Sequence, residues 1–114
     1  MVKKLEHVVL LNDFYGSLLT KKQTDAIRLH YENDWSLAEI AGSAGSSRQA
    51  VYDLIKRSVD ALEKYEQQLG FVDKYIMNRQ LLDEAISILQ DKKTLDERQV
   101  EEAYDILLQL KNNI

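Results

Sequence analysis

Leu37, Ile40 and Ala41 recur at the spacing of one helical face, and Val51, Leu54 and Ile55 repeat that spacing farther along. Between them lies the tightest punctuation in the chain. Ser36 and Glu39 form a capping box that predicts a helix start. Ala41 is small where two helices would cross. Gly45 falls where a turn needs a left-handed backbone. Ser47 is placed to cap the next helix. The stretch Ser36–Arg57 therefore predicts two short helical segments joined by a tight turn, a helix-turn-helix. Its crossing would bring Leu54 against Ile40 and Ala41. Arg48, Gln49, Tyr52, Asp53 and Lys56 would be left on the outer face.

The same periodicity organises the flanks. Leu5, Val8, Leu11, Tyr15 and Leu18 predict a helix over 4–19, weakened by Gly16. Thr20 and Gln23 form a second capping box, opening a helix over about 21–33 that places Ile27 and Tyr31 on one face. Trp35 precedes the Ser36 cap as a hydrophobic staple. The helix from Ser47 meets no stop signal before Gly70, a suitable residue just past a helix end. Val51, Ile55, Ser58, Leu62, Tyr65 and Leu69 trace a seam along it. That seam suits a short coiled coil, spoiled by Ser58, or packing along the chain's own C-terminal region, which is the preferred reading. Two further helices, over 71–90 and 95–112, are separated by Asp91–Lys93, and Thr94 with Glu97 would cap the last one. The architecture expected is all-α: one domain, with a helix-turn-helix core over 1–69 and a C-terminal helical extension over 70–114.

Composition agrees with a helical reading. The 114 residues contain no proline and four glycines, and 45% are apolar. The absence of cysteine removes disulfides and thiolate chemistry. The N-terminus is basic and then apolar, but Glu6, His7, Asn12 and Asp13 interrupt the run, so an amphipathic helix is expected rather than a signal peptide. No stretch approaches the length of a membrane span, and a cytoplasmic location is the expectation. The formal net charge is −4. Phosphate neutralisation supplies most nonspecific DNA affinity, so this balance argues against strong nonspecific binding and leaves room only for a local basic patch.

Catalytic signals are weak. His7 and His30 lie on different predicted helices, and His30 with Asp34 makes two ligands at most. Glu101, Glu102 and Asp105 form an acidic strip of an ordinary solvated kind. There is no glycine-rich phosphate loop and no serine elbow. No enzyme activity, metal or cofactor is expected. The outer face of the helix from Ser47 carries the one coherent set of recognition groups. Arg48 and Gln49 sit in its first turn and suit guanine and adenine edges. Ser47 and the helix start suit a phosphate. Lys56 and Arg57 suit a flanking phosphate or the helix C-terminal dipole. Asp53 would repel phosphate or accept from cytosine, and Tyr52 would stack on a base or enter a protein interface. The same set would serve a protein partner.

The strings DFYGSLLTKKQ, LHYENDWSLAEIA and SSRQAVYDLIKR resemble the YlxM family of small bacterial helix-turn-helix proteins. The middle segment is also similar to region four of sigma factors. The first resemblance implies a regulatory role in the signal recognition particle pathway, since that family's gene commonly neighbours the one for the particle's GTPase. The second implies that Arg48, Gln49 and Tyr52 face bases of double-stranded DNA. Gly42 and Ser46 depart from the family pattern of an acidic and an apolar residue, and Ser46 would loosen the turn. The function expected is a DNA-binding regulator, or an interaction module of the targeting pathway that has lost DNA binding. The apolar surplus beyond residue 60 adds the expectation of a homodimer.

Overall fold

The computed structural model describes residues 2–93 and 95–114, with side chains described from Leu5 onward. Among the described residues six α-helices follow one another: α1 Val2–Tyr15, α2 Lys21–Ile27, α3 Leu37–Ala44, α4 Arg48–Leu69, α5 Phe71–Gln90 and α6 Glu97–Asn113. No strand occurs among the described residues. The chain divides into two compact units, residues 1–72 and 73–114, with the boundary inside α5.

Several helix ends follow from local chemistry. The Thr20–Gln23 and Ser36–Glu39 capping boxes both form, each satisfying two amide groups at a helix start. Gly45 closes α3 at φ 68° and Gly70 closes α4 at φ 66°. Both lie in the left-handed region, where a Cβ is costly. Ser47 accepts from the Ala50 amide at 3.1 Å and opens α4. The expected cap pair at the last helix involved Thr94, which lies outside the described residues. α6 is opened by Asp96 and Gln99, whose reciprocal bonds form a capping box.

Two helices depart from the expected outlines. α1 stops at Tyr15, and residues 16–18 make a tighter turn that leaves Leu18 exposed. Gly16 is needed there for space, because a Cβ would stand 2.8 Å from Asn12 Oδ1. α2 is followed by a widened helical turn over Arg28–Glu32, in which His30 Nδ1 lies 2.9 Å from the Trp35 carbonyl. His30 is thus a partly buried structural link rather than a solvated side chain.

The first unit holds two adjoining apolar clusters, and α4 contributes to both. Val51 and Ile55 pack with Ala26, Ile40 and Ala41, and Trp35 packs against this cluster beside the α3 cap. Farther along, Leu62 packs with Val8, Leu11, Tyr15, Ile27 and Val72. The seam of α4 is therefore consumed by α1, α2 and α3, against the expectation that it packs on the C-terminal region. Ser58 fits this seam without penalty, because its fully buried hydroxyl donates to the Leu54 carbonyl at 2.6 Å. The seam ends at Leu62 and Tyr65, and Leu69 is exposed.

α5 begins with no serine, threonine or aspartate cap. Its first amides are satisfied from a distance. Tyr15 donates to Glu66 Oε1 at 2.5 Å, that same oxygen accepts from the Val72 amide at 3.0 Å, and the Phe71 amide donates to the Tyr15 oxygen at 3.1 Å. The acidic side chain also sits where the helix dipole is positive. In the second unit Ala85 and Ala103 are the buried apolar residues, whereas Leu82, Ile86, Leu89, Val100, Leu107 and Leu108 stay exposed.

Leu54 is only half-buried at the edge of the crossing, against the expectation of full burial. Leu62→Ala should therefore cost about 2–5 kcal/mol and Leu54→Ala roughly half as much. Urea midpoints of the two variants check the order. Burial, and then the hydrogen bond to Glu66, hold the Tyr15 hydroxyl above its ordinary value of 10.0. The phenol of the unfolded chain ionises first as the pH rises. Stability should hold below about pH 10 and fall above it, and urea melts across that range should show the loss. Tyr15→Phe should blunt this alkaline loss while costing about 1–3 kcal/mol at neutral pH, since it strips partners from Glu66 and Phe71.

Candidate nucleic-acid interface

The turn sets the site. Ala41 carries the closure: its carbonyl accepts from the Gly45 amide and, at 3.0 Å, from Ser46. This is the double closure expected of a left-handed helix cap. Ser46 is exposed and uses its backbone here, so the lack of an apolar side chain does not leave the turn open. Gly42 is exposed, and a Cβ there would meet nothing within 4 Å. With Val51 and Ile55 turned into the core, the opposite side of α4 is directed outward.

Arg48, Gln49, Tyr52, Asp53, Lys56 and Arg57 are all exposed on that helix, and Ser47 stands at its start. They form two ridges four residues apart in step. Arg48, Tyr52 and Lys56 make one, spanning about 12 Å along the axis. Gln49, Asp53 and Arg57 make the other. Among the described residues Arg48 and Lys56 have no ion-pair partner. Tyr52, 49% exposed, stands between two shallow hollows. One, of about 400 Å³, lies against Leu37, Arg48 and Gln49. The other, of about 380 Å³, includes His30, Leu37 and Lys56.

The second ridge is internally bonded. Gln49 Nε2 donates to Asp53 Oδ1 at 3.0 Å, and Arg57 Nε donates to the Asp53 backbone carbonyl at 3.3 Å. Asp53 thus steadies a neighbouring polar side chain while keeping its negative charge. The i to i+4 spacing of Gln49 and Asp53 was the available signal for this pair. Three cations and one carboxylate share the face, so it is locally basic on a chain whose net charge is −4. Such a face offers hydrogen-bond donors, a flat ring and phosphate-sized positive charge along one exposed helix.

Residues 1–106 match a family described as "Putative helix-turn-helix protein, YlxM / p13 like". The chain belongs to that family. A UPF0122 protein of Listeria innocua is 45% identical over 112 residues, covering 98% of each chain. One of Symbiobacterium thermophilum is 53% identical over 83 residues, covering 73% of this chain and 78% of its own. One of Streptococcus agalactiae is 43% identical over 97 residues, covering 85% and 88%. The family is described by a helix-turn-helix and not by a reaction. No group of three or more histidine, aspartate or glutamate side chains able to hold a metal occurs among the described residues. No described helix is long and apolar enough to cross a membrane.

Ser47→Ala should cost about 1 kcal/mol through the lost cap. Thermal melts should show that loss as a lowered midpoint with unchanged helical content.

Proposed function

We propose that this protein is a cytoplasmic DNA-binding regulator that presents the exposed face of α4 to the major groove of double-stranded DNA. One observation carries the reading. A helix-turn-helix closed by Gly45 leaves Arg48, Gln49 and Tyr52 exposed on the first turns of its second helix, where such motifs meet base edges. Arg48 is suited to guanine and Gln49 to adenine. Ser47 and the start of α4 would seat one phosphate, and Lys56 and Arg57 another. The hydrogen bond from Gln49 to Asp53 would hold the glutamine ready and limit the repulsion Asp53 exerts.

The protein would act as a homodimer. Leu82, Ile86 and Leu89 on α5 follow steps of four and three and are exposed, as are Val100 and Leu107 on α6. Apolar stripes of this kind call for a partner, and a twofold copy would also align two half-sites. The link to the signal recognition particle pathway rests on the resemblance to the YlxM family. The acidic net charge supports a second reading, a module that binds a protein component of that pathway through the same face.

Selection from random duplexes at low salt separates the readings. Enrichment of a sequence supports DNA reading, and no enrichment leaves the interaction module. Arg48→Ala should relax preference at one position and cost about 1–3 kcal/mol of binding. Lys56→Ala should weaken all duplexes alike and reduce the salt slope by about one. Sedimentation equilibrium should give a dimer at micromolar concentration, and Ile86→Asp, at an exposed position, should give a folded monomer. A wild-type monomer would refute the dimer.

A further inference from the structure

On the side of α4 away from Tyr52 a half-open cleft of about 430 Å³ separates α2 from α4 and reaches the turn after α3. That volume lies in the range of small-molecule sites. Its floor is apolar: Ala26, Leu29, Ile40, Val51 and Leu54 contribute. The space exists because Ala44, Ser46 and Ala50, at its mouth, are small. Leu54 is left half-buried for the same reason, with one side on the cluster and the other on the cleft.

Two cations and two carboxylates stand around the cleft, but their charges are not equally spent. Asp25 pairs with Arg28 at 3.6 Å, and Asp53 accepts from Gln49 at 3.0 Å. Lys22 has no ion-pair partner among the described residues, and Arg57 uses only Nε, on a backbone carbonyl. With Asp25 paired to Arg28, Lys22 and Arg57 face the single charge of Asp53, so the net charge at the mouth is positive, above an apolar floor.

We propose that this cleft binds a small amphipathic anion, an apolar body carrying one carboxylate, with Lys22 and Arg57 holding the carboxylate. The apolar body covers the exposed flanks of Leu29 and Leu54, which supplies the driving force by removing apolar surface from water. The two cations supply orientation and selection of charge. The occupant touches α2, α4 and the turn together, so it stiffens the helix pair that presents Arg48 and Gln49. Arg57 is shared with the phosphate seat proposed for the outer face, whereas Lys22 and the apolar floor belong to the cleft alone.

Titration of the full-length protein with octanoate, followed by amide nuclear magnetic resonance shifts, tests the proposal. Saturable shifts should centre on Leu29, Ala44, Ala50 and Leu54 with a dissociation constant on the order of 1 mM. Acetate, which has no apolar body, should leave these amides unmoved. Octylammonium should bind about tenfold more weakly. Lys22→Gln with Arg57→Gln, both at exposed positions, should abolish that preference while retaining the thermal midpoint. Ala50→Phe, also at an exposed position, should fill the mouth and block octanoate. The proposal is overturned by octanoate that fails to saturate, by equal binding of octylammonium, or by shifts centred on Leu82, Ile86 and Leu107. Undiminished octanoate binding by folded Ala50→Phe would overturn it as well.

Discussion

The first unit depends on a buried hydrogen-bonded junction in which Tyr15, Glu66 and the first amides of α5 satisfy one another. Removing any one member leaves a polar group in an apolar cluster, next to Leu11 and Leu62, which are fully buried. The junction fixes where α4 can end and where α5 can start. It also ties the C-terminal half of α4 to α1. An exposed face on a helix is only as well placed as the helix itself, and here that placement is secured far from the exposed face.

α4 carries unlike environments around one cylinder. Val51, Ile55, Ser58 and Leu62 are buried along its inner stripe. Arg48, Tyr52 and Lys56 stand on the outer side, with Asp53 and Arg57 turned toward the cleft beside α2. The division follows from 3.6 residues per turn, which separates neighbours in sequence by about 100°. Asp53 serves two surfaces at once, bonded to Gln49 of the outer face and lining the cleft behind it. A change of charge at Asp53 would therefore be felt on both sides of the helix.

Much of this was legible from local pattern. The two glycine caps, the capping boxes at Thr20 and Ser36 and the Ser47 cap depend on residues within a few positions of each other. Short-range chemistry of this kind is written in spacing. The outward side of α4 was legible too, because its inward stripe is strongly apolar. Within the site, the pairing of Gln49 with Asp53 was missed, although the two stand one helical turn apart.

What spacing could not convey involved groups distant along the chain or competing for the same space. The amphipathic sequence by itself determined the helical segments, the caps that open α2, α3 and α4, and the turn, since each such cap is a contest between a side chain and its own backbone. Tertiary structure decided that Glu66 is buried and accepts from a tyrosine 51 residues away. It decided that His30 is tied to the Trp35 carbonyl, and that Gly16 is required by its closeness to Asn12. It also decided that Leu54 borders a cleft instead of closing the crossing. The physical reason is common to all four. Periodicity assigns a residue to a face, but burial depends on the volume and polarity of whatever the fold brings opposite that face.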